Sequence, residues 1–270
     1  MSGVPADIPI EKAKEKSTEI QERLGVPLTA AGFASVPEAD LIAAQGWGMA
    51  EFDPSDATGV LTALASMDGR LGLGPVVDGE YVVGTVEEGL KAGRGGGVPV
   101  IIGATHDEFG GALRSVGDDV DAMTIGTALA HMGVAADRIP GYAESLLGEP
   151  TSRVCAQYVT DVMFRTRIIE WSNLRAGSPT WYYDFTWRSE VSGLAEHCVD
   201  VPFYFDVLEA DGVTRVLGEN PPAALAEKVH GAWVRMIATG DPGWDRDEVT
   251  VLDTHVVAGV DTYASARALA

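Results

Sequence analysis

The sequence predicts an α/β protein with a mainly parallel sheet, and two observations carry that expectation. Two compact runs bounded by glycine or proline, Val98-Pro99-Val100-Ile101-Ile102-Gly103 and Thr180-Trp181-Tyr182-Tyr183-Asp184-Phe185-Thr186-Trp187, read as strands buried on both faces. Long stretches of helical periodicity separate them, the alternation expected of strands joined by crossover helices. The composition agrees, because 46% apolar and 22% charged residues describe a globular chain. The 32 glycines and 14 prolines follow no fixed period, which argues against collagen and solenoid architectures.

Taken in order, Ile10, Ala13, Ile20 and Leu24 fall at helical spacing among lysines and glutamates, and Gly25 with Pro27 supplies the stop. Ser35 with Glu38 three residues on, and Pro37 between, predicts a capping box opening a helix through Ala44. Residues 45–77, ending near Gly72-Leu73-Gly74-Pro75, read as loops and short helices. After the first strand, Ala104-Thr105-His106-Asp107-Glu108-Phe109-Gly110-Gly111 is polar and turns sharply. Helices are predicted over Asp119–Met132 and Ser152–Leu174, the second with Val154, Tyr158, Val162 and Ile169 on one face. Beyond the aromatic strand, Asn220-Pro221-Pro222 is expected to cap a last long helix with the stripe Leu225, Val229, Trp233 and Met236, stopped at Gly240-Asp241-Pro242. Short β-type runs at Val249–Leu252 and near Val256-Val257 follow.

Charge narrows the function classes. Forty acidic residues against nineteen basic give a formal charge of −21, a surface that repels phosphate backbones and anionic headgroups. Nucleic-acid and membrane partners are therefore not expected, and no apolar run approaches the roughly 18 residues of a membrane span. Two cysteines, Cys155 and Cys198, make no disulfide framework, so a reducing cytoplasm is the expected compartment.

Three arrangements invite a chemical reading. Lys91-Ala92-Gly93-Arg94-Gly95-Gly96-Gly97 has the composition of a phosphate cradle, but its glycines precede a strand instead of opening a helix, so a lead-in turn is expected. His106-Asp107-Glu108 with His197-Cys198-Val199-Asp200 contains metal-ligating residue types, yet adjacent residues rarely converge on one ion and no HExxH or paired CxxC spacing exists; no metal is expected. The third reading pairs one carboxylate of the loop after Gly103 with one histidine, since a carboxylate at a strand's carboxyl end can fix an imidazole tautomer and stabilise the imidazolium. Of five histidines, His131 and His230 fall in predicted helices, His255 lies near the chain end, and His106 adjoins the acid. His197, between the aromatic strand and Val201-Pro202-Phe203-Tyr204-Phe205, lies on an expected loop at the sheet's functional edge.

Four segments carry a family resemblance: Gly74-Pro75-Val76-Val77-Asp78-Gly79, Val98 through Glu108, Ala195-Glu196-His197-Cys198-Val199-Asp200-Val201-Pro202-Phe203, and Ala238-Thr239-Gly240-Asp241-Pro242. In that order and spacing they resemble the type B carboxylesterases, the α/β-hydrolases that include cholinesterases and bacterial para-nitrobenzyl esterases. The resemblance implies that Glu108 is the triad acid and His197 the base, that the substrate is a small-molecule carboxylic ester, and that no cofactor takes part. It departs at His106, where arginine or lysine is commoner, and at Cys198, where a small residue is usual.

An α/β-hydrolase triad runs serine, acid, histidine along the chain. The serines upstream of Glu108 are Ser2, Ser17, Ser35, Ser55 and Ser66, and none sits in a GxSxG elbow. Met1-Ser2-Gly3 resembles the segment that follows the elbow in the family. Residues 1–270 are therefore expected to form a single partial domain, the C-terminal portion of an α/β-hydrolase fold, with residues from about Gly111 to Leu174 as helical excursions over the site. The expected consequences are inactivity in isolation and a sheet edge met by a missing N-terminal fragment or by self-association. A non-catalytic binding protein of the same fold is the alternative, since some relatives serve adhesion.

Overall fold

A computed structural model of the chain describes residues 7–45, 53–65, 74–246, 248–256 and 260–270. Met1-Ser2-Gly3, Ser66, Gly72-Leu73 and Val257 lie outside the described residues. The chain opens with a two-residue strand β1 (Ile8–Pro9) and the helices α1 (Ile10–Leu24), α2 (Ala30–Ala34), α3 (Glu38–Gln45) and α4 (Ala57–Ala65). Strand β2 (Val76–Val77), helix α5 (Val86–Lys91) and strand β3 (Val100–Thr105) follow. Next come α6 (Gly117–Asp121), α7 (Ile125–His131), α8 (Ile139–Ser145), α9 (Thr151–Thr160), a π-turn (Asp161–Arg165) and α10 (Thr166–Leu174). Strand β4 (Thr180–Phe185), α11 (Val201–Phe205), α12 (Thr214–Leu217), α13 (Ala223–Thr239), β5 (Val249–Leu252) and α14 (Ala264–Arg267) complete the order.

The main sheet has the order β3-β4-β5, parallel throughout, with Val100 opposite Thr180 and Tyr182 opposite Val249. β1 and β2 form a separate two-residue parallel pair. Among the described residues β3 is paired along one edge only. The alternation of β4 divides the interior. Tyr183 and Phe185 face a cluster with Phe203, Tyr204, Leu225, Val229 and Leu252, in which the Phe185 and Phe203 rings lie 5.3 Å apart. On the opposite face Ala104 and Ile102 of β3 meet Leu61, Val120, Leu129, Val154 and Phe164 from the helices. Gly103 leaves room for Tyr183, since a Cβ there would fall 2.4 Å from the Tyr183 ring and from its carbonyl oxygen.

Several expectations hold and several shift. α1 follows its periodicity and ends on Gly25 in the left-handed conformation, φ 65°. The two main strands start or end two residues from the predicted limits. Val98 is spent in the turn, its carbonyl accepting from Arg175 Nη2 at 2.8 Å, and pairing begins where Val100 N–H donates to the Pro179 carbonyl. The first half of β3 is only half-buried, so its expected full cover applies to Gly103–Thr105 alone.

The capping box at Ser35 does not form. α2 runs up to Ser35 and leaves it in the right-handed helical region, φ −82° and ψ −9°, where its hydroxyl donates back to the Gly32 carbonyl; an N-cap needs extended backbone. Such a box occurs instead at Thr85 and Glu88, opening α5. The predicted helix over 119–132 is two helices, because Thr124 takes an extended backbone and accepts the Thr127 N–H as the cap of α7. Pro222, with no side-chain cap, precedes α13 in place of the expected Asn220 cap. The segment predicted as one helix over 152–174 is broken internally by the π-turn, whose extra residue sets Asp161 and Arg165 both inward.

Candidate functional site

The loop after β3 and the loop before α11 are joined by backbone bonds. His197 N–H donates to the Glu108 carbonyl at 3.2 Å, and Asp107 N–H to the Ala195 carbonyl at 2.9 Å. Glu108 is buried, and its two oxygens are divided. Oε1 accepts the Thr105 N–H at 2.8 Å, which pins the carboxylate against the end of the strand. Oε2 lies 2.5 Å from His197 Nδ1, so the proposed acid and base of the sequence meet directly. The imidazole is half-exposed and its other face rests on the Phe164 ring, 5.8 Å between centroids. The hydrogen bond to Glu108 raises the His197 pKa above the ordinary histidine value, against the opposing effect of partial burial.

Asp107 performs a different task. Its Oδ2 accepts the Ala195 N–H at 3.0 Å while its own N–H binds the Ala195 carbonyl, a reciprocal clamp two residues before His197. Oδ1 accepts from Arg153 Nη2 at 2.7 Å, and Arg188 Nε lies 3.7 Å from Oδ2. Burial pushes the Asp107 carboxyl up, but His106, Arg153 and the Ala195 N–H together hold it below the usual carboxylate range. Arg153 belongs to α9, and Phe109 N–H donates to Thr160 Oγ1 at 3.0 Å at the far end of the same helix, so the helical excursion is tied to the acid's loop at two points.

His106 turns away from this pair. Its Nδ1 lies 2.9 Å from Asp184 Oδ2, and Asp184 also pairs with the fully buried Arg165 at 3.4 Å. The three adjacent side chains 106–108 therefore diverge to Asp184, Arg153 and His197. Among the described residues no group of three or more histidine, cysteine, aspartate or glutamate side chains is arranged to hold a metal ion. Lys91 to Gly97 is a turn before β3, as expected, with Gly93 and Gly95 in left-handed conformations. His131 lies at the end of α7, and His230 on α13 bonds the Tyr204 carbonyl through Nδ1 at 2.8 Å.

Sequence reasoning missed the ionic framework behind the pair. Arg153 and Arg165 lie far along the chain from their partners and belong to no motif. The one available signal was an acidic residue, Asp184, within an otherwise aromatic strand.

With this geometry in view, the comparisons can be placed. The chain is 24% identical over 221 residues to the para-nitrobenzyl esterase of Bacillus subtilis (strain 168), a match covering 72% of this chain and 42% of the relative. It superposes on the crystal structure of Geobacillus stearothermophilus carboxylesterase EST55 with a TM-score of 0.70 at 23% identity, covering 97% of this chain and 55% of that one. A para-nitrobenzyl esterase structure gives a TM-score of 0.70 at 20% identity. The fold is that of the α/β-hydrolase carboxylesterases. This chain resembles their C-terminal portion and spans about half the length of the relatives it matches. No protein-family model matches it. Among the described residues no helix is long and apolar enough to cross a membrane.

Proposed function

We propose that the chain supplies the general base and its orienting acid to a carboxylic-ester hydrolase, with the nucleophilic serine and oxyanion donors contributed by polypeptide that this sequence does not include. The single observation that carries the reading is the Glu108–His197 hydrogen bond at 2.5 Å, made by a buried carboxylate and a half-exposed imidazole. Likeness to para-nitrobenzyl esterase supports it, and the absence of a GxSxG elbow from the 270 residues gives the second clause.

In this reading His197 Nε2 takes the proton of the serine hydroxyl as its oxygen bonds to the ester carbonyl carbon. The carbonyl electron pair moves to oxygen and returns as the alkoxide leaves, taking the proton from Nε2 to depart as the alcohol. Water then attacks the acyl-serine by the same route and releases the carboxylic acid. Glu108 holds Nδ1–H throughout, which fixes the tautomer and stabilises the imidazolium between transfers.

The test compares the purified chain with the chain co-expressed beside the N-terminal part of the Bacillus subtilis esterase that lies outside the match. Alone, the chain should leave p-nitrophenyl acetate at background and take no fluorophosphonate label, because loss of a hydrolase nucleophile costs on the order of a millionfold in kcat. Together, turnover should appear and vanish with His197→Ala. Stoichiometric labelling of a serine in the chain alone would overturn the second clause. Stable association without turnover would favour the non-catalytic binding reading.

A further inference from the structure

A cavity of about 480 Å³ lies between the α7–α8 connection, α9, the π-turn, α10 and the chain after α14, and neither Glu108 nor His197 lines it. Its volume falls within the range of small-molecule sites, roughly 300–1,000 Å³. The walls are largely aliphatic, formed by Val134, Val162, Ile169 and Leu269. The π-turn that buries Asp161 and Arg165 leaves Val162 between them on the cavity side.

The polar groups on this apolar lining are unevenly satisfied. Arg167 is matched by Glu170 at 3.0 Å and by Glu87 at 3.7 Å, so its charge is answered within the protein. Arg138 is not. It donates from Nη1 to the Leu269 carbonyl, and no carboxylate lies within ion-pair distance of it among the described residues. That bond fixes the guanidinium at the cavity wall and leaves its other N–H groups for a further acceptor.

The second donor is Tyr158 of α9. Its ring stands edge-on to Tyr142, 5.7 Å between centroids, and among the described residues its hydroxyl makes no hydrogen bond. Burial raises the phenol above the ordinary tyrosine value while the nearby Arg138 charge opposes that rise, so the two groups are neighbours and the hydroxyl keeps its proton to donate.

We infer that this cavity binds a small amphiphilic carboxylate of the medium-chain fatty-acid class, its carboxylate held by Arg138 and the Tyr158 hydroxyl and its chain laid against the aliphatic walls. A guanidinium fork suits a planar carboxylate, and a cationic ligand would be repelled by it. A polyanion is disfavoured by the net charge of −21, against which a single unmatched arginine suffices for one negative charge. The aliphatic lining rewards removal of an alkyl chain from water, which a short polar acid does not offer. A carboxylic acid is also the class of product that ester hydrolysis releases, but the chemistry of the cavity stands without that reading.

Isothermal titration calorimetry of the purified chain with sodium octanoate should show one saturable site. Octanamide, with the same chain and a neutral head, should bind about tenfold more weakly, the scale of one hydrogen-bonded charge pair. Acetate, with the same head and no chain, should not bind where octanoate saturates. Arg138→Gln should lower octanoate affinity about tenfold and leave octanamide unchanged, and Tyr158→Phe, which keeps the ring against Tyr142, should lower octanoate affinity by less. Absence of saturable octanoate binding, or equal affinity for octanoate and octanamide, would overturn the inference in the unaltered chain without any variant having to fold. An octanoate affinity unchanged in folded Arg138→Gln, or a stoichiometry above one shared with octanamide, would overturn the assignment of this cavity.

Discussion

Arg165→Met tests the ionic framework beneath the candidate site. The guanidinium is fully buried, with Asp184 at 3.4 Å, Asp161 at 3.5 Å and the Tyr263 ring centroid at 4.4 Å, and it donates to the His106 and Thr262 carbonyls. Methionine fills most of the volume and removes the charge. Breaking one side of a buried ion pair costs about 3–5 kcal/mol. Here Asp161 keeps Tyr142 and Gln157 and Asp184 keeps His106, so the loss should fall near the lower end, about 3 kcal/mol at neutral pH.

The pH dependence supplies the sharper criterion. Burial raises the Asp184 carboxyl, yet Arg165 and then His106 bring it below the usual aspartate value. A lowered folded value means that its stabilisation is present above the unfolded aspartate pKa, about 3.9, and is lost as pH falls through the lower folded value. Without Arg165 burial dominates, the folded value rises above 3.9, and the variant gains relative stability as acid protonates Asp184. The deficit should thus be widest at neutrality and narrow as the pH approaches about 4. Urea unfolding followed by circular dichroism at several pH values measures it. A deficit constant across that range, or one below about 1 kcal/mol at neutrality, would refute the assignment of Arg165 as the cation on which Asp184 depends.

Three further outcomes follow from single contacts. In Glu108→Gln the stabilising effect of His197 protonation should shrink; in the wild type that effect is present below the unfolded histidine value of about 6.5 and is lost as pH rises through the raised folded value, so stability curves of the two proteins should diverge most on the acid side of neutrality. Gly103→Ala should destabilise by about 1–3 kcal/mol in thermal or urea unfolding, because the new methyl meets the Tyr183 ring and backbone at 2.4 Å; an unchanged midpoint would show that β3 and β4 separate easily. Of the two free thiols, Cys198 is exposed and should react with Ellman's reagent in the native chain, whereas Cys155, buried and with its pKa pushed up to about 12, should react only on unfolding.

How much of this was legible in the sequence depends on the range of each interaction. The strands β3 and β4 and the helix α1 with its Gly25 stop were readable, because local periodicity encodes each, whereas the meeting of Glu108 with His197 was implied only by the family resemblance of the segments that bear them. The helix starts at Ser35 and Asn220 were misread for a tertiary reason: a residue caps only if its backbone is extended, and continuation of α2 through Ser35 removed that condition. The break at Thr124 was legible in principle, since a threonine before a helical run is itself a cap signal. Arg153 and Arg165 were not. Their meaning lies in partners that only the folded chain brings into view.

The buried acids show how a strongly acidic chain holds the His197 imidazole at one position. A net charge of −21 is tolerable on a solvated surface, where interactions between distant charges are screened; inside, each carboxyl needs its own means of relief. Asp107 uses arginine and spends its second oxygen on the loop that bears His197, so that its charge becomes a positional constraint. Glu108 uses the imidazole itself, so that its charge becomes a chemical one. Because Arg153 and Thr160 both come from α9, a displacement of that helix would pull on Asp107 and Phe109, the residues flanking Glu108 on either side. The helical excursion is therefore mechanically joined to the acid, while His197 is held by the main chain at the end of β3; the alignment of the pair depends on both attachments at once.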